Sequence, residues 1–359
     1  MLLKSVARVA VIGGGIAGLR VAQLRARAGD AVTLCEASSV LGGQLQTELS
    51  AGYVVELGAE GFVASSAAMD TLAAELGIGS SLIGQLTLRS FGFDGHGLVA
   101  LGPGEAAQFL GFQVPRRELG KGIRAFSSGM REVVEAVVRS LPPHVDVGVD
   151  EPVEKLRRAG SHWQLTTSRR SFEVERVVVA TAARSASRLL APEFGAPASE
   201  LEHAELLSSV TVSLAYERAA ISHPLDGTGF VVTDAAIVDG LRACTFTSSK
   251  LAGRAPPGQA LLRAFFRPKD EDIDQHDVAW SERAERGILR VLAPTARPTR
   301  TWVSRWRAAL PVFDAAHEAR VTALEAALAG SQVTLAGAAF HGSGIDAALR
   351  SAERTSTWS

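Results

Sequence analysis

Cysteine is almost missing from this chain of 359 residues. Cys35 and Cys244 are the only two, too few for a disulfide framework and without metal-type spacing, so a reducing, cytoplasmic setting is expected. A run of about twenty uncharged apolar residues is also missing, so no membrane span is expected. Lys4 ahead of apolar residues imitates a signal peptide, but that run reads better as a first buried strand. Neither sign of charge dominates: 37 Lys and Arg against 38 Asp and Glu leave a formal charge of −1. No overall pull towards nucleic acid or an anionic membrane follows from that balance. No Ser/His/Asp set, His/Cys cluster or paired carboxylates can be picked out. No residue is therefore singled out as catalytic, and no metal is expected.

What the chain has is glycine, placed where backbone must come close to something. Val6 to Ile12 is a short β-branched run that reads as a buried parallel strand. It leads into Gly13-Gly14-Gly15-Ile16-Ala17-Gly18, which fits G-x-G-x-x-G, and then into a helical pattern that Gly29 ends. A second strand, Ala31 to Leu34, ends at Cys35-Glu36. Gly13 permits the tight turn, Gly15 lets backbone approach a pyrophosphate, and Gly18 lets helix and strand pack. The phosphate would sit at the helix N-terminus, with Ile16 and Ala17 in its first turn. Glu36, followed by Ala37, is placed to bind ribose hydroxyls and to disfavour a 2′-phosphate. Together these parts make a dinucleotide site.

Glu36-x5-Gly42-Gly43-Gln44 resembles the extension found in FAD-dependent amine-oxidase-type flavoproteins, with Gln44 standing where that family usually has a cation. Two adjacent glycines suit close backbone approach to a phosphate or flavin. Near the chain end, Val333 to Asp346 is a strand running through Gly337, Gly342 and Gly344 into a helix that starts at Ile345. It is similar to the C-terminal flavin motif of the same family. His341 beside these glycines is read as a loop residue, so the FAD is expected to be non-covalent.

Other stretches narrow the resemblance to protoporphyrinogen and coproporphyrinogen oxidases. Arg89 to Gly95 followed by Leu98 to Leu101 is similar to a hairpin of that family, and the resemblance implies that Arg89 binds a tetrapyrrole carboxylate. Ser248-Ser249-Lys250, Gly253-Arg254-Ala255-Pro256 and Leu261-Leu262-Arg263 resemble a family signature, in which Lys250 and Arg254 are read as loop-forming. Val153 matches a backbone contact to adenine. Arg305, Trp306, Pro311 and His317 match a further family stretch. There Trp306 would pack against the flavin, with a core tryptophan as the equal alternative. The long helical insertion expected of this family is reduced to about residues 102–121.

The expected fold class is α/β. A discontinuous Rossmann-like FAD-binding domain (1–75, 122–205 and 296–359) carries an inserted antiparallel-sheet substrate domain (76–121 and 206–295). The resemblance implies an FAD-dependent oxidase that takes hydride from a reduced tetrapyrrole and passes electrons to dioxygen or another acceptor. Two alternatives stay open: an oxidase or desaturase of a different small molecule in specialised metabolism, or a non-catalytic flavoprotein. In the latter a homodimer mate or partner chain would cover the reduced lobe. Peripheral membrane contact also stays open.

Overall fold

The computed structural model describes residues 6–109, 120–233 and 238–355. Its organising layer is a five-stranded parallel sheet of Arg8–Ile12, Ala31–Cys35, Asp146–Gly148, Arg176–Val179 and Val333–Leu335. Numbered along the chain, these strands lie in the order 3-2-1-4-5, which is the dinucleotide-binding order. Val9 pairs with Val32 on one side and with Arg176 on the other, and Val177 pairs in turn with Val333. The central strands are buried on both faces, which accounts for their unbroken apolar runs.

Helix Ile16–Arg27 covers one face, packed beside helix Ile345–Arg354 and helix Arg131–Arg139. The other face packs Leu156, Trp163 and Leu165 of a three-stranded antiparallel sheet, together with helices Ala183–Phe194 and Ala315–Leu328. Helix Ala67–Glu75 is capped at its start, where the Ser66 side chain accepts from the Met69 amide at 3.2 Å.

The second layer is a sheet of seven strands. In spatial order they are Arg300–Pro311, Leu206–Glu217, Gln259–Phe266, Leu241–Thr245, Gly229–Val232, Ser90–Phe93 and Leu98–Leu101. Every neighbouring pair is antiparallel except Gly229–Val232 with Ser90–Phe93, which run parallel. Helix Asp277–Leu292 lies on this sheet with Trp280, Ala284, Ile288 and Leu292 buried. That spacing of four places one stripe on the core.

Two details differ from the sequence reading. Arg300–Pro311 pairs along its length with Leu206–Glu217, so it is an edge strand of the second sheet rather than part of the 296–359 cofactor block. Its alternation cannot reveal which sheet accepts it. Leu82–Gly84, expected with the substrate domain, pairs with Ile123–Phe126 in a small sheet beside the first layer. Of the reduced lobe, residues 105–109 form a short helix, and 110–119 lie outside the described residues. No helix among the described residues is long and apolar enough to cross a membrane.

Candidate functional site

Gly13 turns the chain off the first strand with φ +109° and donates its amide to the Cys35 carbonyl at 2.8 Å. A Cβ on Gly18 would overlap the carbonyl oxygen of Gly13, so the third glycine is a packing requirement. Gly15 is the opposite case, because a Cβ there would meet no atom within 4 Å. Helix Ile16–Arg27 starts at Gly15 with no side-chain cap and no acidic residue in its first turn. Its positive end is thus left for an external anion.

The second glycine pair closes on the same point. The Gly42 amide donates to the Gly14 carbonyl at 2.8 Å, and Gly15 and Gly42 form a parallel bridge. Gly43, at φ +57°, has the Gly15 Cα as its near neighbour. Glu36 directly follows the second strand, and its carboxylate accepts from the Gly14 amide at 2.6 Å and from the Ser38 amide at 2.8 Å. Those bonds hold a carboxylate beside the cradle. Ala37 follows it, and the Glu36 carbonyl accepts from the Glu151 amide at 2.8 Å, which brings Val153 to the same side.

The C-terminal glycines arrive from across the sheet. A Cβ on Gly337 would stand 3.6 Å from the Ala17 methyl, and the Gly337 amide donates to Ser351 Oγ at 2.7 Å. Gly344 is the N-cap of helix Ile345–Arg354, has no side-chain cap, and opens onto space, while Ile345 is buried beneath. The uncapped start of the first helix thus has Gly42, Gly43 and Gly337 beside it, and helix Ile345–Arg354, also uncapped, packs on the same helix. FAD fits these residues, since its diphosphate needs backbone amides and its ribose a carboxylate.

Gln44 and Trp306 carry this cradle to the second sheet. Gln44 Nε2 donates to the Ala309 carbonyl at 2.9 Å, and Trp306 Nε1 donates to the Leu57 carbonyl at 2.7 Å. The Trp306 ring lies against Gly58, where a Cβ would approach it to 3.1 Å. Arg89 stands apart, just before the strand five places along the sheet from that of Trp306. At the usual strand spacing this is roughly 24 Å. Its guanidinium pairs with Asp226 and lies over the Phe91 ring, 4.8 Å from the centroid.

The sequence reading missed a buried charge network between the two sheets. Glu60 receives Lys250 Nζ at 2.6 Å, and Arg263 Nη2 donates to the Gly58 carbonyl at 2.7 Å. Arg254 donates to the Phe126 carbonyl at 3.0 Å and faces Glu56 at 3.5 Å. Glu56 also accepts from the Met130 amide and from Thr47 Oγ1. Burial pushes Glu56 up to about 7, against the pull of Arg254, the Thr47 hydroxyl and the Met130 amide. Burial opposes ionisation of Glu60 too, yet Lys250, Arg263 and Arg254 together hold it below the usual carboxylate range. A signal was present: Arg263 sits inside the apolar run Leu261 to Phe266. Lys250 and Arg254 thus tie their loop to Glu60 and to the Phe126 carbonyl. Both cysteines are buried, and burial raises both thiols, Cys35 to about 12.

A Rossmann-ordered sheet with glycine turns at its carboxyl ends, joined to a second broad sheet, defines a dinucleotide-dependent flavoprotein fold. Residues 86–357 match the model for flavin containing amine oxidoreductases, and residues 11–76 match that for an NAD(P)-binding Rossmann-like domain. The chain belongs to the flavin-containing amine oxidoreductase family.

Among curated relatives, coproporphyrinogen III oxidase of Propionibacterium freudenreichii subsp. freudenreichii is 31% identical over 62% of this chain and 42% of its own length. The Bacillus subtilis (strain 168) protein of that name is 29% identical over 66% and 51%. The chain thus spans about half the length of these curated relatives. The Mycobacterium tuberculosis (H37Rv) protein of that name aligns at 27% identity over 450 positions, covering 97% of this chain and 96% of the relative. That alignment is longer than the 359 residues here, so it carries gaps in this chain. A solved structure from Exiguobacterium sp. 255-15, described as a candidate protoporphyrinogen oxidase, superposes with TM-score 0.85 at 21% identity, covering 99% of this chain and 98% of the other. That likeness speaks for the fold.

Proposed function

We propose that this protein binds FAD non-covalently and oxidises a porphyrinogen or a similar reduced, conjugated ring. The approach of Gly42, Gly43 and Gly337 to the helix start at Gly15 supports the cofactor, as does the uncapped start at Gly344 of the helix packed beside it, and the names of the curated relatives support the substrate class. Gly13, Ile16, Ala17, Gly18 and Gly42 would shape the diphosphate cradle, Glu36 and Ala37 the ribose end, and Val153 the adenine side. Gln44, Trp306 and Ile345 would border the ring.

Bound FAD would supply the electron acceptor for hydride leaving the substrate, with dioxygen or another acceptor downstream. The protein's own part is positional. The first sheet would hold the nucleotide, while Trp306 and Gly58 would present a flat wall where the second sheet meets it. Arg89 is the candidate for a substrate carboxylate, for which its pair with Asp226 would have to open. A second reading, an oxidase or desaturase of another small molecule, is favoured by the short 102–121 connection and the gapped alignment. A partner chain or homodimer mate over that region is the third.

The test is an absorbance spectrum of the purified protein, followed by anaerobic addition of coproporphyrinogen and protoporphyrinogen. Flavin bands that bleach as porphyrin fluorescence rises are the expected result. Bound flavin that stays oxidised with both would move the assignment to another substrate or a partner role. A protein that takes up no FAD would overturn the reading.

A further inference from the structure

The buried network between the sheets does not balance. Glu56, Glu60, Lys250, Arg254 and Arg263 comprise two carboxylates and three cations, each with a side chain at most 13% exposed. The charged groups that act on Arg263 are Glu60 and Glu56, and those acting on Arg254 are the same two. With all five groups ionised, this cluster carries one positive charge in excess. Arg254 Nε and Arg263 Nε are both buried without a hydrogen-bond partner. An uncompensated buried charge costs several kcal/mol, so a retained one calls for an anion near by.

The proposed cofactor site offers a place for such an anion. Glu36 would hold the ribose end of the nucleotide, and Gly15 and Gly43 would hold its diphosphate. The other end of such a nucleotide runs away from Glu36, along Gln44 to Gly58. The Ala59 amide donates to the Gln44 carbonyl at 3.0 Å, and Arg263 grips the Gly58 carbonyl next door at 2.7 Å. The excess charge thus sits behind the segment that would border the flavin ring.

We infer that this excess is the electrostatic partner of reduced flavin, so that Arg263 and Lys250 raise the reduction potential of the bound cofactor. The inference rests on the FAD reading above. Hydride leaving a substrate C–H bond carries two electrons and a proton to the ring, which gains one negative charge at neutral pH. The substrate, left one unit more positive, releases a proton to solvent. On reoxidation dioxygen takes the two electrons, the ring's proton and one proton from solvent, giving hydrogen peroxide and a neutral ring. A fixed positive charge favours the reduced state because it needs no reorganisation as charge develops.

The experiment is a dye-equilibrated reduction potential of the FAD-loaded protein at pH 8, where Glu56 is ionised. Arg263→Gln and Lys250→Met are each expected to weaken the preference for the reduced state about tenfold, a drop of roughly 30 mV for two electrons. Glu56→Gln removes a negative charge and is expected to shift the potential the opposite way. Arg263→Gln leaves two buried carboxylates short of a partner; should it fail to fold, the other two variants decide. Wild-type potentials in FAD-loaded Lys250→Met and Glu56→Gln, or shifts of the same sign, would overturn the inference. A wild-type protein that takes up no FAD brings down the function reading first, before any variant is measured.

Discussion

Gln44 and Ala309, 265 positions apart in sequence, are joined by a side-chain amide donating to a backbone carbonyl at 2.9 Å. This bond ties the second glycine pair to the edge strand of the other sheet. In Gln44→Ala the Ala309 carbonyl loses that donor, at a cost of about 1 kcal/mol. The expected result is a lower midpoint in chemical denaturation with an unchanged slope. An unchanged midpoint would mean the bond adds nothing in solution.

Gly15 and Gly18 separate binding from folding. Gly18→Ala drives a methyl into the Gly13 carbonyl, and overpacking of this kind costs about 1–3 kcal/mol. Gly15 has ordinary φ (−67°) and open space around its missing side chain. Gly15→Ala should therefore keep near wild-type stability yet take up FAD at least tenfold more weakly. Thermal melts without cofactor and FAD titrations read the two effects independently. Equal FAD affinity in Gly15→Ala and wild type would exclude this helix start as the phosphate site.

Glu56 gives the fold a pH dependence of known sign. Its folded value lies near 7, above the ordinary 4.5, so between these two limits the folded state holds more proton than the unfolded. Stability from this group is complete below about pH 4.5, falls as pH rises, and is lost above about pH 7. The loss is on the order of a few kcal/mol, reduced by whatever water reaches the carboxylate. Denaturation of wild type and Glu56→Gln at pH 5.5 and pH 8 should show wild type losing more stability on the way up. Parallel profiles would refute it.

Arg89 and Asp226 predict a pair of opposite effects. Both side chains are about half exposed, so breaking their contact changes stability by less than about 1 kcal/mol. If Arg89 receives a substrate carboxylate, Arg89→Ala raises the apparent KM for a porphyrinogen several-fold and leaves flavin content alone. Asp226→Asn frees the guanidinium and lowers that KM. Unchanged KM in both variants would remove Arg89 from the site.

Much of the fold was readable because its signals are local. A β-branched run, a glycine turn and an apolar helix stripe report their own conformation, and they gave the first strand and the first helix closely. Strand ownership was not readable. Arg300–Pro311 alternates like any edge strand, and only its pairing with Leu206–Glu217 assigns it to the second sheet. The glycine turns of the candidate site were legible for the same local reason. Its charges were not, since Arg263 meets Gly58 from 205 positions away and Lys250 meets Glu60 from 190. Arg89, which sequence placed near substrate, gains in the structure a partner, Asp226, that no motif announced.

The parallel sheet is closed by Val333–Leu335, which pairs with Arg176–Val179 beside the very first strand. A ribosome making this protein therefore releases the opening strands, helix and glycine turn long before the strand and helix that complete them. From the emergence of residues 176–179 until Val333–Leu335 is made, the first sheet has an open edge there, and such edges invite pairing with other chains. Chains that stop before Val333 should be prone to aggregation and unable to retain cofactor. The late strand is in effect a checkpoint: without it the proposed nucleotide cradle lacks one of its walls.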